Sequence, residues 1–461
     1  MSLPAVLHLA DRLADGCGYL RRPLRPAALL ARAARHAGTA DFGDIPFQEP
    51  LTRLLDACAG ESAPTLVGRI ATRWDVLRFL GNLLRLAAEE ARDPAIRNEP
   101  IEQPIFITGL PRSGTSFLHG LLLEDPANHA PRVWQTIAPY PPSAGPDRRI
   151  EHATAQLRTF ARLAPEFPGL HPLRATSPQE CSEILAHVFR SLRFDTTYRI
   201  PSYRNWLDHA GQLPAYRFER QFLQHLQHQR RAAPGSVIHA APESVLRPAP
   251  GSVIHAAPES MLRTAPESVI RAAPATTPGR WVLKCPDHVF ALGDLRAVFP
   301  DARIVFVHRD PVKVLLSVAK LTEVLRRPFT RAIDPLAIGR GESDRWLLGT
   351  ARMLEARDTS SFTTPICHVH HTALTGDPMG TVRQVYRHFG LPLEPSAASA
   401  MARLVARHPQ GDYDHDAYRF ADHGLDLAAE RDRFRAYTDY FDIAAETAPA
   451  RTARPTLPRA A

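Results

Sequence analysis

Residues 105–116 read IFITGLPRSGTS. Pro104 is followed by the apolar run Ile105, Phe106, Ile107, the pattern of a strand buried on both faces of a parallel sheet. A turn bracketed by Gly109 and Gly114 comes next, and an apolar-periodic stretch predicts a helix from about Ser116 to Leu123. Strand, glycine loop and helix in that order open a doubly wound α/β unit. From Gly109 the spacing is G-x-x-x-x-G-T-S, P-loop spacing with Thr115 where nucleotide triphosphatases carry a lysine. An anion needs no lysine there. Backbone N–H groups from Arg112 through Ser113 and Gly114 to Thr115 can form a concave nest, and the positive end of the helix points at the same spot. Thr115 and Ser116 add hydroxyl donors, and Arg112 adds a fixed charge. The missing lysine argues against a kinase or triphosphatase, where it helps hold the β- and γ-phosphates.

A second stretch, RIVFVHRDPVKVLLSVAK over residues 303–320, repeats the strand-to-helix logic. The strand should end at Val307 or His308. Asp310 suits a helix N-cap and Pro311 the first helical position. That leaves Arg309 in the loop at the carboxyl edge of the strand, where open α/β sheets bind ligands. Ser317, about two helical turns on, is spaced to share one phosphate with Arg309. A third strand is predicted at Trp281–Leu283, which puts Lys284 at the same edge. Lys284, Lys313 and Lys320 are the only lysines among 56 basic residues, so a lysine here stands out from an arginine background.

Further from the loop, residues 1–98 predict a helical region. Leu51, Leu54, Leu55 and Cys58 fall on one helix face, and so do Val76, Phe79, Leu80, Leu83 and Leu84. Residues 233–248 and 249–264 are near-identical 16-residue units, APGSVIHAAPESVLRP and APGSVIHAAPESMLRT, and a partial third follows. Prolines this dense with one apolar pair per unit predict a flexible surface insert over 233–279. The expected layout is therefore an α/β, P-loop-type parallel sheet flanked by helices. Its core is split into 99–232 and 280–448, with the helical region before it, the low-complexity insert within it, and a disordered tail at 449–461. Val382, Val385, Tyr386 and Phe389 mark one face of a helix in the second half.

Composition narrows the function. Hydrophobic residues at 44% and charged residues at 23% fit a globular chain. The net charge of +8 suits an anionic ligand, but it is spread evenly and without aromatic–basic clusters, which argues against nucleic acid. The five cysteines (Cys17, Cys58, Cys181, Cys285, Cys367) are scattered without a CxxC pair, so neither disulfides nor a zinc site is predicted. No run approaches the ~18 apolar residues of a membrane span, and no signal peptide is read. A reducing cytoplasm is the expected compartment.

Together the two anion motifs resemble the sulfotransferases that use 3′-phosphoadenosine-5′-phosphosulfate, with Pro111–Ser116 as the 5′-phosphosulfate loop and Arg309-Asp310-Pro311 through Ser317 as the 3′-phosphate motif. The similarity is strongest to a bacterial branch resembling tyrosylprotein sulfotransferases, through Leu283–His288 and Tyr386–Leu391. The resemblance implies transfer of a sulfuryl group to an acceptor hydroxyl or amine, with Arg112, Ser113, Gly114, Thr115, Ser116, Arg309 and Ser317 binding the donor and no metal required. It implies that Lys284 stabilises charge on the leaving phosphate. The two phosphate cradles should lie about one nucleotide apart.

The expected general base is absent. Related sequences place a glutamate after the tryptophan of PRVWQTIAPYPP, where this chain has Gln135. Glu180 is the first substitute, with His288 and His119 behind it. His371 and Ala373 also depart from the family pattern. Tyr198, Tyr203 and Trp206 are candidates for lining an acceptor pocket or for plain core. The acceptor (small molecule, carbohydrate, lipid or protein tyrosine) and the oligomeric state are not readable. A non-catalytic nucleotide-binding descendant of the family is the alternative reading.

Overall fold

The computed structural model describes residues 3–142, 145–232, 279–356, 365–407 and 420–446. The predicted insert, Gly279 apart, and the predicted tail at 449–461 lie outside the described residues.

A five-stranded, wholly parallel sheet forms the centre, with order β2-β3-β1-β4-β5. Its strands are β1 (Ile105–Gly109), β2 (Asn128–His129), β3 (Arg280–Lys284), β4 (Arg303–His308) and β5 (Cys367–His370). The three strands read from sequence, β1, β3 and β4, are the central ones and are buried almost throughout. The two that were not read lie at the edges. β2 has only two residues, too short for a pattern. β5 reads CHVH and alternates, with Cys367 and Val369 buried and His368 and His370 half-buried.

Period-two alternation gives the sheet two apolar faces. Phe106, Leu283, Ile304 and Phe306 enter one core cluster. Ile105, Ile107, Val282, Val305 and Val307 enter the other, with Leu118, Val382, Val385, Tyr386 and Phe389 packed on them. The N-terminal helices belong to the first cluster. Helix Gln48–Glu61 buries Leu51, Leu54, Leu55 and Cys58, and helix Leu66–Arg92 buries Val76, Phe79, Leu80, Leu83 and Leu84. They share the sheet's own core.

Ion pairs fix the short helix Cys181–Leu185 against this scaffold. Glu183 meets Arg78 at 2.6 Å and Arg193 at 2.9 Å, and both arginines also bind Asp75. Tyr198 donates its hydroxyl to Asp75 at 2.9 Å and Tyr203 donates to the Phe189 carbonyl at 2.8 Å. Both tyrosines are buried, so they are core and not the lining of an acceptor pocket.

The topology concentrates chemistry at one edge. β1 sits between β3 and β4, reached by connections that run to opposite sides, which is the switch point where such sheets bind ligands. Ile107 pairs in register with Lys284, and Gly109 with Val307. The glycine loop, Lys284 and Arg309 therefore leave three adjacent strands at the same end.

Candidate functional site

The loop between β1 and helix Thr115–Leu122 turns through two left-handed residues, Arg112 at φ 61° and Gly114 at φ 90°. A Cβ at Gly109 would lie 2.3 Å from the Val307 carbonyl oxygen, so only glycine passes that close to β4. Ser113 is fully buried and donates its hydroxyl to the Leu110 carbonyl at 2.6 Å. Its side chain therefore braces the loop, which leaves its backbone N–H as its contribution to an anion nest. The first N–H groups of the helix beyond Gly114 have no intrahelical acceptor and face the same concavity.

The two motifs meet directly. Arg112 donates Nε to Ser317 Oγ at 3.0 Å and Nη1 to the Leu170 carbonyl at 2.7 Å. Arg309 donates Nη1 to the Arg112 carbonyl at 2.6 Å. Asp310 caps helix Pro311–Arg326 as read, accepting from the Val312 N–H at 3.0 Å. The resemblance implied cradles about one nucleotide apart, and the long Arg112 side chain reaches from the first motif to bond Ser317 of the second.

The remaining valence of Arg309 is taken by Glu446, a residue no sequence signal singled out. Nε and Nη2 each meet one carboxylate oxygen at 2.9 Å. The Glu446 backbone N–H donates to Asp310 Oδ2 at 2.8 Å, and His371 Nδ1 lies 3.6 Å from the carboxylate. Burial raises the Glu446 pKa, but Arg309, His371 and Lys313 outweigh that and hold it below the usual carboxylate range.

On the other flank Lys284 is almost fully buried at the end of β3. Its Nζ donates to Ser116 Oγ at 3.1 Å and to the Glu180 carboxylate. Burial works to raise the Glu180 pKa, and the Lys284 charge and hydrogen bond reverse it, leaving this carboxyl ionised below its ordinary range. Glu180 keeps a quarter of its side chain exposed, so it faces the cleft from the N-cap position of helix Cys181–Leu185.

His171 belongs to the same electrostatic neighbourhood and was not singled out by sequence. Burial lowers its pKa to about 4, with Glu180 opposing and Lys284 and Arg112 assisting. The histidines that were singled out are placed elsewhere. His288 is fully buried, its ring edge-on to Phe106 at 5.1 Å and its Nδ1 2.8 Å from the Tyr216 hydroxyl. His119 lies in the core with Nε2 3.0 Å from the Val282 carbonyl. Burial pushes both imidazoles down to about 3. Gln135 has a structural use: its Oε1 accepts from the Arg132 N–H at 2.8 Å and closes the first turn of helix Val133–Ile137.

Comparison with known proteins follows this geometry. The sulfotransferase family profile matches residues 104–395. The omega-hydroxy-beta-dihydromenaquinone-9 sulfotransferases Stf3 of Mycobacterium bovis and Mycobacterium tuberculosis are each 22% identical over 347 residues, covering 69% of this chain and 70% of theirs. The crystal structure of sulfotransferase STF1 from Mycobacterium tuberculosis H37Rv superposes with a TM-score of 0.70 at 27% identity, over 90% of this chain and 100% of that one. Sulfotransferase STF9 from Mycobacterium avium gives 0.73 at 25%, over 91% and 97%.

Proposed function

This chain belongs to the sulfotransferase family, and from that premise we propose that it moves a sulfuryl group from 3′-phosphoadenosine-5′-phosphosulfate to the hydroxyl, or amine, of a small acceptor. The observation that carries the reading is the convergence of two anion motifs on one sheet edge, with Arg309 bonded to the Arg112 carbonyl and Ser317 to the Arg112 side chain. The fit to a phosphorylated donor is supported by a stand-in. The guanidinium fork of Arg309 already grips a planar anion, the Glu446 carboxylate, in the two-pronged geometry that arginine offers to carboxylate and phosphate alike. The tight turn at Gly114 depends on glycine, since a Cβ there would close to 3.1 Å on Leu374 and 3.3 Å on His371 and its φ is 90°.

In this reading the N–H groups of Arg112 to Ser116, with the Thr115 and Ser116 hydroxyls, hold the 5′-phosphosulfate. Arg309 and Ser317 hold the 3′-phosphate. Lys284 offsets the charge left on the phosphate oxygen when the sulfur–oxygen bond breaks. Glu180 accepts the proton that the acceptor gives up as its oxygen bonds to sulfur; it is ionised and so able to accept, although the Lys284 charge lowers its basicity. The Lys284–Glu180 pair keeps both groups in place before the acceptor arrives. Such placement and electrostatics suffice for this class of transfer, by extension from phosphoryl transfer. His288, sealed in the core, is given no contact with the reacting atoms.

Among the described residues no helix is long and apolar enough to cross a membrane. The Stf3 relatives are named for a hydroxylated menaquinone derivative. A hydroxyl on an apolar, lipid-like small molecule is therefore the first acceptor class to test. The test is transfer of radiolabelled sulfate from the donor to a panel holding such an alcohol, a phenol, a sugar and a tyrosine peptide. Labelling of one class is the expected result. Tight binding of adenosine 3′,5′-bisphosphate with no labelling anywhere would overturn catalysis in favour of a non-catalytic binder.

A further inference from the structure

Behind the Lys284–Glu180 pair lies a cluster that the mechanism does not use. Cys181 Sγ, a carboxylate oxygen of Glu219 and a ring nitrogen of His288 lie within 4.8 Å of one another, and all three residues are at most 1% exposed. They come from three elements: the first turn of helix Cys181–Leu185, the middle of helix Leu213–Ala232, and the turn Pro286–Phe290 after β3. No spacing rule would have linked them, which is why the cysteine pattern predicted no metal site.

The hydrogen bonding inside the cluster is incomplete. Among the described residues neither oxygen of Glu219 has a nitrogen or oxygen hydrogen-bond partner, the Cys181 thiol being the polar group beside it, and Nε2 of His288 has no partner. A buried polar group left so costs roughly 1–3 kcal/mol. The other ring nitrogen is engaged, since Nδ1 lies 2.8 Å from the Tyr216 hydroxyl. That contact helps to fix the orientation of the ring, as outer partners do for metal-binding imidazoles.

We infer that Cys181, Glu219 and His288 form a buried site for a single zinc-class divalent ion, with Tyr216 as its outer positioning residue. One sulfur, one nitrogen and one oxygen ligand are the donor types zinc takes. Charge balance agrees: one thiolate and one carboxylate offset a divalent ion, which a site at this depth demands. Cys181 follows Glu180, and His288 is four residues past Lys284. An ion here would pin together the two segments that carry the pair facing the cleft.

Because the cluster is sealed, loading should accompany folding. The test is therefore to grow the full chain in medium supplemented with zinc or with cobalt, desalt it, and measure metal per chain by mass spectrometry together with the cobalt absorption spectrum. The expected result is one ion per chain and a near-ultraviolet thiolate-to-cobalt band. That band should be lost in Cys181→Ser and Glu219→Gln and kept in Cys17→Ser, which alters the exposed thiol. Should the ligand variants fail to fold, Tyr216→Phe serves instead, with retention against a chelator weakened about 10–100-fold. Protein that emerges metal-free from both media, or a cobalt–thiolate band that survives Cys181→Ser, would overturn the site.

Discussion

Arg309 grips the carboxylate of Glu446 through two parallel hydrogen bonds of 2.9 Å, at the position the proposed reading reserves for the 3′-phosphate. The pair is mostly buried, 11% and 20% exposed on its two sides. Any anion that enters this cradle must displace Glu446, so apparent affinity carries the cost of opening the pair. Removing the carboxylate should strengthen donor binding. Glu446→Gln is expected to tighten adenosine 3′,5′-bisphosphate by up to about fivefold, the scale of a partly exposed ion pair worth ~1 kcal/mol. Calorimetry checks this, and weaker binding in the variant would mean Glu446 helps to hold the ligand.

Lys284 is expected to act on turnover. It is almost fully buried and aimed at Ser116 and Glu180. Loss of one preorganised donor costs about 10²–10³ in rate. Lys284→Met should lower kcat by that factor while circular dichroism and the melting temperature show the fold retained. Near-full turnover would remove Lys284 from the mechanism.

Glu180 should separate from the binding groups. If it takes the acceptor proton, Glu180→Gln loses about 10²–10⁴ in kcat, and its affinity for adenosine 3′,5′-bisphosphate stays within about twofold, a few tenths of a kcal/mol. Retained turnover would direct attention to His171, which shares the electrostatic neighbourhood of Glu180, Lys284 and Arg112.

The scaffold has a pH signature of its own. His225 meets Glu90 at 2.9 Å in the contact between helices Leu66–Arg92 and Leu213–Ala232. Burial works against the Glu90 carboxylate, but His225, Gln221 and Arg97 bring its pKa down to about 2, and the two glutamates beside His225 raise the imidazole despite its burial. A depressed carboxylate contributes stability above its unfolded pKa and loses it as pH falls. A raised histidine contributes below its unfolded pKa and loses it as pH rises through the folded value. The pair is therefore worth most between about pH 4.5 and 6.5, the ordinary values of the two groups. His225→Gln should cost on the order of 1–2 kcal/mol there, after solvent screening, and less at alkaline pH. Urea denaturation at pH 5.5 and 9 checks the sign, and a cost that grows with pH would contradict it.

The parts of this site that were legible in the sequence are those made by local chemistry. The apolar runs of β1, β3 and β4 announce buried central strands, and the glycines and Asp310-Pro311 announce the turns that follow them. The Lys284–Glu180 pair joins residues 104 apart, and the Arg309–Glu446 pair residues 137 apart. Spacing carries no trace of either, since only the folded sheet edge brings them together. His288 shows the opposite failure. Its place in a motif suggested chemistry, yet the turn after β3 rotates it into the core beside Tyr216 and Phe106. β5 escaped because it is a four-residue edge strand that half-faces solvent, and its alternating His368 and His370 break the apolar run by which a central strand is recognised.

The central claim is that Arg309 recognises a phosphate on the 3′ side of an adenylate bound by the glycine loop. Calorimetry of adenosine 3′,5′-bisphosphate against adenosine 5′-monophosphate, on the wild type and on Arg309→Ala, tests it most directly. The wild type should prefer the bisphosphate by about 10–100-fold, the worth of charge-assisted hydrogen bonds at ~1.5–3 kcal/mol. The variant should lose that preference and keep its affinity for the monophosphate. Equal affinity of the wild type for both nucleotides, or a preference that survives in Arg309→Ala, would contradict the account.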